Sequence, residues 1–186
     1  MNTKARTHSN SKMAEYLNEQ LAVENAVIDR LVTRIHETPI SDLKQHLEKN
    51  LRQTMNRQER MYQVINGLGV KPTDTKANLP TLKMPHRDNI KELKDKVESL
   101  AIHDKEDAKS AENEIHKIKE DLIIEKSGVI SYKILLRLAE QASIQDAIDT
   151  LKQNLEEEQS MSDWITDNAS AMIDELWPKI ESSLIE

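Results

Sequence analysis

Residues 13–36 read MAEYLNEQLAVENAVIDRLVTRIH, and the reading of this stretch decides the fold. Leu17, Leu21, Ile28, Leu31 and Ile35 recur at helical spacing, which predicts an amphipathic helix with a single apolar stripe. Glu24 stands in the middle of that stripe, seven residues after Leu17 and seven before Leu31. A carboxylate seldom enters a core without a partner, so this stripe predicts a helical bundle with something polar at its centre.

Working outward, Thr38-Pro39 ends this helix and Ser41 is the expected N-cap of the next. The second helix runs from about Ser41 to Asn66 on Leu43, Leu47, Leu51, Met61 and Ile65, until Gly67 and Gly69 stop it. So short a link makes the two helices an antiparallel hairpin. Residues 70–88 hold Pro72, Pro80 and Pro85 and read as a long crossover. Asp88 is the expected cap of a very polar extra helix over 89–102, an exposed appendage rather than core. Another helix follows over about 105–141, polar at first and apolar after Ile115. Ser143 is the expected cap of the last, which carries Ile144, Ile148, Leu151, Leu155, Met161 and Ile165 and ends at Pro178.

The resulting division is a disordered tail over 1–12, a bundle over 13–176 and a C-terminal extension over 177–186. Within the bundle, 70–114 form the crossover and its extra polar helix. Hairpin, long crossover, hairpin is the arrangement of an all-α, ferritin-like antiparallel four-helix bundle.

Composition agrees. Charged residues make up 32% of the 186 and hydrophobic ones 37%, at a mean hydropathy of -0.68, as long helices with one wet face require. Phe is absent, so Leu, Ile, Val and Met fill the core, with Met13, Met55, Met61, Met161 and Met172 as packing residues. With no cysteine there is neither disulfide nor thiolate chemistry. A net charge of -7 argues against nucleic acid as a partner, and no apolar run is long enough for a membrane span. The polar, basic first twelve residues have no apolar signal core, so the expected location is the cytoplasm.

Two further helices carry inward carboxylates. Glu125 follows Ile118 by seven residues and Leu122 by three, and Glu158 follows Leu151 by seven and precedes Met161 by three. Three carboxylates at mid-height suit hard cations such as Fe(II) or Mn(II). A ferritin-like di-metal site takes a Glu from each of two helices and a Glu-x-x-His from each of the others. Glu24 and Glu125 fit the single positions and Glu158 opens a Glu-x-x-His, but Met161 stands where its histidine belongs. The second helix offers Asn50, Gln53, Thr54, Arg57 and Met61, with no carboxylate on the stripe.

These residues carry a family resemblance. Leu21-Ala22-Val23-Glu24, Asn50-Leu51-Arg52-Gln53-Thr54, Arg60-Met61-Tyr62 and Leu68-Gly69 fall in the order of motifs in one ferritin-like domain-of-unknown-function family. Glu125-Lys126-Ser127-Gly128-Val129-Ile130-Ser131-Tyr132 and Leu155-Glu156-Glu157-Glu158 continue that order. The family is typified by the YciE and YciF stress proteins, and the chain resembles it over 13–69 and 115–176. The resemblance implies a closed bundle, often dimeric, with a di-metal centre and a stress-related role. Against the family pattern a histidine has become Asn50 and glutamates have become Gln53, Tyr62 and Gly128.

Two readings of the centre follow. Glu24, Glu125 and Glu158 are metal ligands, with Gln53, Arg57 and Met161 as neighbours, in a di-iron or di-manganese oxidase or peroxide-handling protein. Otherwise they form a polar layer neutralised by Arg57, Arg60, Tyr132 or protons, in a scaffold without cofactor. The second is the expectation, with a homodimer or another protein as partner and no catalytic residue assigned. Its candidate contact surface is the charged segment 89–114; in a third reading Trp164, Trp177 and the apolar Leu184-Ile185 dock onto another protein.

Overall fold

The computed structural model describes residues 3–81 and 102–182, which form four long helices. They are α1 (Thr3–Glu37), α2 (Ser41–Gly67), α3 (Ile102–Ala142) and α4 (Gln145–Ser182). α1 packs on α2 and α3 on α4 as hairpins, while α1 also meets α3 and α2 also meets α4, closing a four-cornered bundle. The long crossover joins α2 to α3 as the prolines require. No helix among the described residues is long and apolar enough to cross a membrane.

Helix ends differ from expectation where packing overrides local signals. Residues 3–12 continue α1 instead of forming a disordered tail, since nothing there breaks a helix and Lys12 pairs with Glu15 one turn on. Ser41 is the first helical residue and not the cap. Ile40 takes the extended cap position because its side chain is buried, and its backbone N–H donates to Thr38 Oγ1 (3.3 Å). Pro178 does not end α4, which runs on to Ser182. Proline forfeits one backbone hydrogen bond, but Leu176 and Ile180 on either side are buried in the core and hold the last turns in place. Met55 is exposed and fills nothing.

Ser143 is no N-cap. Its N–H donates to the Glu140 carbonyl, that of Ile144 donates to the Ala139 carbonyl, and its φ is 56°. That is the left-handed closing residue of a Schellman motif, the role Gly69 (φ 81°) plays at the end of α2.

The first part of the crossover is an extended strap laid along α1. Asn18 accepts from the Thr73 N–H (2.7 Å), and Asn25 donates to the Thr73 and Thr75 carbonyls (3.3 and 2.9 Å). Pro72 is buried beneath the strap, and Leu79 packs on the core. The extra polar helix over 89–102 lies outside the described residues, apart from Ile102, as do Leu184 and Ile185. Residues 106–114 are part of α3. Ala108, Ala111 and Glu114 are buried there, so this stretch is no detached charged appendage.

The core falls into two apolar halves. Leu17, Leu21, Met61, Ile65, Leu135 and Leu151 anchor one, and Leu31, Leu43, Leu47, Ile118, Ile165 and Leu176 anchor the other. The inward carboxylates lie in the layer between them.

Because a non-glycine residue in the left-handed region costs about 1–2 kcal/mol, Ser143→Gly should stabilise the fold by about 1 kcal/mol. For a chain of this size that corresponds to a rise in Tm of roughly 2–4 °C, readable by circular dichroism melting.

Candidate functional site

Helical periodicity brings Glu24, Glu125 and Glu158 to one height, and α2 meets them with a cation. Arg57 is fully buried. Its Nε donates to Glu24 Oε2 (3.2 Å), and its Nη2 forms an ion pair with Glu158 Oε1 and donates to Thr54 Oγ1 (both 2.8 Å). Glu24 is closed from the other side by Tyr132, whose hydroxyl donates to Oε1 (2.6 Å), and by Gln20 Nε2 (3.1 Å). Glu125 accepts from Asn50 Nδ2 (2.8 Å). Arg60 stands further out, donating to Glu157 Oε2 (2.7 Å) and Asn154 Oδ1 (2.8 Å), and Asn154 Nδ2 reaches the Tyr132 hydroxyl (3.4 Å).

Glu125 and Glu158 are neighbours in this layer, and each carboxyl bears on the ionisation of the other. Burial raises both groups above the usual carboxylate range, Glu158 well above it, since Glu125 and Glu24 add to its desolvation against the pull of Arg57. Of the two, Glu158 is therefore the more readily protonated, while Glu125 Oε2 is buried without a hydrogen-bond partner. Burial works against the Arg57 charge, but Glu24 and Glu158 outweigh it and hold the guanidinium above its ordinary range. Burial also pushes the Tyr132 hydroxyl well up, so it remains a donor.

Gly128 makes room for this arrangement. A Cβ at residue 128 would lie 2.6 Å from Glu158 Oε2 and 2.9 Å from its Cδ, so the Glu158 carboxyl folds against the bare backbone of α3. The position where the family pattern has a second glutamate is thus taken up by the side chain of Glu158.

The donor set does not fit a di-metal centre. α2 presents Asn50, Thr54 and the fixed positive charge of Arg57, and Gln53 is only half-buried. Met161, buried beside the layer, offers no nitrogen. Among the described residues no group of three or more His, Asp or Glu side chains is arranged to hold a metal ion. Arg57 spans two of the carboxylates that a metal would need.

A second buried ionic layer lies toward the other end, and the sequence reading missed it. Arg34 donates to Asp121 Oδ2 (2.8 Å) and to both oxygens of Glu114 (2.9 and 3.3 Å), and Thr38 Oγ1 donates to Glu114 Oε1 (2.7 Å). Arg30 adds a bond to Asp121 Oδ1 (2.7 Å). The signal was present, since Glu114 is followed by Ile118 and Asp121 by Glu125 at helical spacing, but no partner could be assigned from sequence. Asn154, four residues before Glu158 on the same face, was missed likewise. His46 stacks on Trp164 (centroids 3.6 Å apart), so Trp164 is half-buried and not free to dock, whereas Trp177 is exposed.

A family profile described as "Domain of unknown function (DUF892)" matches residues 12–176. Among solved structures, a protein of Xanthomonas campestris pv. campestris superposes with a TM-score of 0.67 at 15% identity, over 94% of this chain and 99% of that one. A bacterioferritin of Desulfovibrio desulfuricans, solved with its diiron site in different catalytic states, superposes with a TM-score of 0.63 at 18% identity, over 92% and 85%. The E. coli stress protein YciF is 25% identical over 94% of this chain and 99% of its own, with a TM-score of 0.48. No curated protein sequence matches. The fold is all-α and ferritin-like.

Two outcomes test the layer. Burial raises Glu158 well above the roughly 4.3 of a glutamate in the unfolded chain, so folding favours proton uptake there and wild-type stability falls as pH rises from that value. Glu158→Gln removes this term. In urea denaturation at successive pH values, the stability of the variant relative to wild type should climb with pH, by up to about 1.4 kcal/mol per unit. Gly128→Ala should destabilise wild type by about 1–2 kcal/mol, because the Glu158 carboxyl must leave its partners. In a Glu158→Ala background the same change should gain up to about 1 kcal/mol of helix propensity, so the coupling reverses its sign.

Proposed function

The chain belongs to the DUF892 family, and on that premise we propose that it is a ferritin-like scaffold or interaction protein whose di-metal centre has degenerated into an arginine–carboxylate layer. The observation that supports this reading is Arg57 of α2, whose guanidinium bridges Glu24 and Glu158. A side-chain cation supplies the positive charge that inward carboxylates demand, without redox chemistry and without an open coordination position. Glu24, Arg57, Glu125, Tyr132 and Glu158 are each at most 5% exposed, so a substrate has no polar group of the layer to meet. The work of the protein then falls to its outer faces. A stress-related setting is what the family resemblance implies, and we place the protein in the cytoplasm on its charge and composition.

Elemental analysis of protein purified without chelator tests this directly. We expect no stoichiometric iron or manganese and no rise in Tm on adding Fe(II) or Mn(II). A specific ligand at a hundred times its Kd would raise stability by about 2.7 kcal/mol, an effect well within reach of a melting curve. About two metal ions per chain, as a di-metal centre holds, lost in Glu24→Ala and Glu125→Ala, would overturn the proposal in favour of a di-iron or di-manganese oxidase.

A further inference from the structure

Where the end of α2 meets the start of α4, the bundle holds a cavity of about 400 Å³. Arg60, Val64 and Gly67 follow one another at helical spacing along α2 and form one wall, about 10 Å long. Asp146 and Asp149 of α4 stand on the other. Val64 is buried, and with the half-buried Leu68 and Ile144 it makes an apolar floor on the core half that Leu17 and Leu151 anchor. Gly67 keeps the mouth open. A Cβ at residue 67 would meet nothing within 4 Å, so the space for a side chain there is open space at the edge of the cavity.

The opposite charges on the two walls do not neutralise each other. Arg60 is tied down at one end, donating through Nε to Asn154 Oδ1 (2.8 Å) and through Nη2 to Glu157 Oε2 (2.7 Å). Its third nitrogen, Nη1, has no partner among the described residues. Asp149 accepts from Gln145 Nε2 (2.8 Å) at one oxygen, and Asp146 has no side-chain partner among the described residues. Asn154 and Glu157 lie five and eight residues beyond Asp149, about 8–12 Å along α4, so their hold on Arg60 keeps it away from the aspartates. Acidic residues in the first turns of a helix answer its dipole. The dipole does not account for an uncommitted arginine nitrogen at the far end of the same apolar floor.

We propose that this cavity binds a short free peptide of about three residues. The terminal carboxylate accepts a charge-assisted hydrogen bond from Arg60 Nη1, and the terminal ammonium donates to Asp146 and Asp149. Between them an aliphatic side chain lies on Val64, Leu68 and Ile144. An extended chain spans at most about 3.3–3.6 Å per residue, so about three residues cover the distance between the charges, whereas a single amino acid reaches only one end. A simple anion meets two aspartates and a polyamine meets the arginine, so like charge disfavours both. The walls are side chains of two packed helices, a pre-formed site of the size that small ligands occupy. The carboxyl-terminal tail of a protein shares the carboxylate but carries no ammonium at that distance. The inference goes beyond the scaffold reading and does not depend on the state of the polar layer.

Calorimetric titration of the full-length chain with the peptide Ala-Leu-Ala is the test. The expected result is one site per chain with a Kd below about 1 mM. Acetylating its amino terminus or amidating its carboxyl terminus should each weaken binding by roughly 10-fold or more, since each removes a charged hydrogen bond. Asp146→Asn/Asp149→Asn should weaken the free peptide by a similar factor and leave the acetylated one unchanged. Gly67→Phe plugs the cavity. Of the three glycines only Gly69 has a positive φ, so this substitution leaves the backbone of α2 unstrained and should abolish binding while the protein melts like wild type. No heat of binding with the peptide at about 10 mM, or binding that survives Gly67→Phe, would overturn the proposal. Equal affinity for the free and acetylated peptides would overturn it in favour of a site for protein tails. Metal content measured on the same samples reports on the polar layer separately, so the two readings fail by different signals.

Discussion

Everything at the centre of this bundle depends on one guanidinium. Arg57 reaches from α2 to Glu24 on α1 and to Glu158 on α4, joining three of the four helices within a few ångströms. Burying three carboxyls would be prohibitive on its own, since each ion loses several kcal/mol of hydration. The arginine pairs with two of them, burial shifts Glu158 toward its protonated form, and the donors Tyr132, Gln20 and Asn50 satisfy most of the rest, while Thr54 Oγ1 accepts from Arg57. Removing Arg57 alone would leave the carboxylates facing one another, which is why the layer stands or falls as a unit.

The same logic recurs one level along the bundle. Arg34 and Arg30 on α1 meet Glu114 and Asp121 on α3, again with a threonine hydroxyl closing the set. Between and beyond the two ionic layers the aliphatic side chains form separate apolar halves. Leucines tolerate small slips of one helix past another, whereas a forked guanidinium does not. The buried ions thereby define the register of helices that lie far apart in the chain.

The helices were legible because their signals are local. The stripes through Leu17, Leu31, Leu43, Leu47, Leu151 and Ile165 are buried as their spacing demands, and the three inward glutamates do converge. The ends were less legible. Ser41, Ser143 and Pro178 carry the usual marks of helix boundaries, yet burial of Ile40, Leu176 and Ile180 moved two of those boundaries, and a Schellman closure used Ser143 otherwise. Boundary preferences are worth about 1 kcal/mol, less than the burial of one aliphatic side chain. The tail over 3–12 was misread for a related reason, since a polar segment without periodicity still continues a helix that is already nucleated.

By itself the sequence determined the number and order of the long helices, the single long crossover and the faces on which Glu24, Glu125 and Glu158 stand. Those follow from a period of 3.6 residues and from where proline and glycine occur, both properties of neighbouring residues. Only the tertiary structure decided that Arg57 lies between the carboxylates, that burial pushes Glu158 toward protonation, that Gly128 makes room for its carboxyl, and that Glu114 is core. Each of these depends on groups from different helices sharing a few ångströms of space out of water. There, charge and volume must be satisfied by whichever partner packing brings within reach.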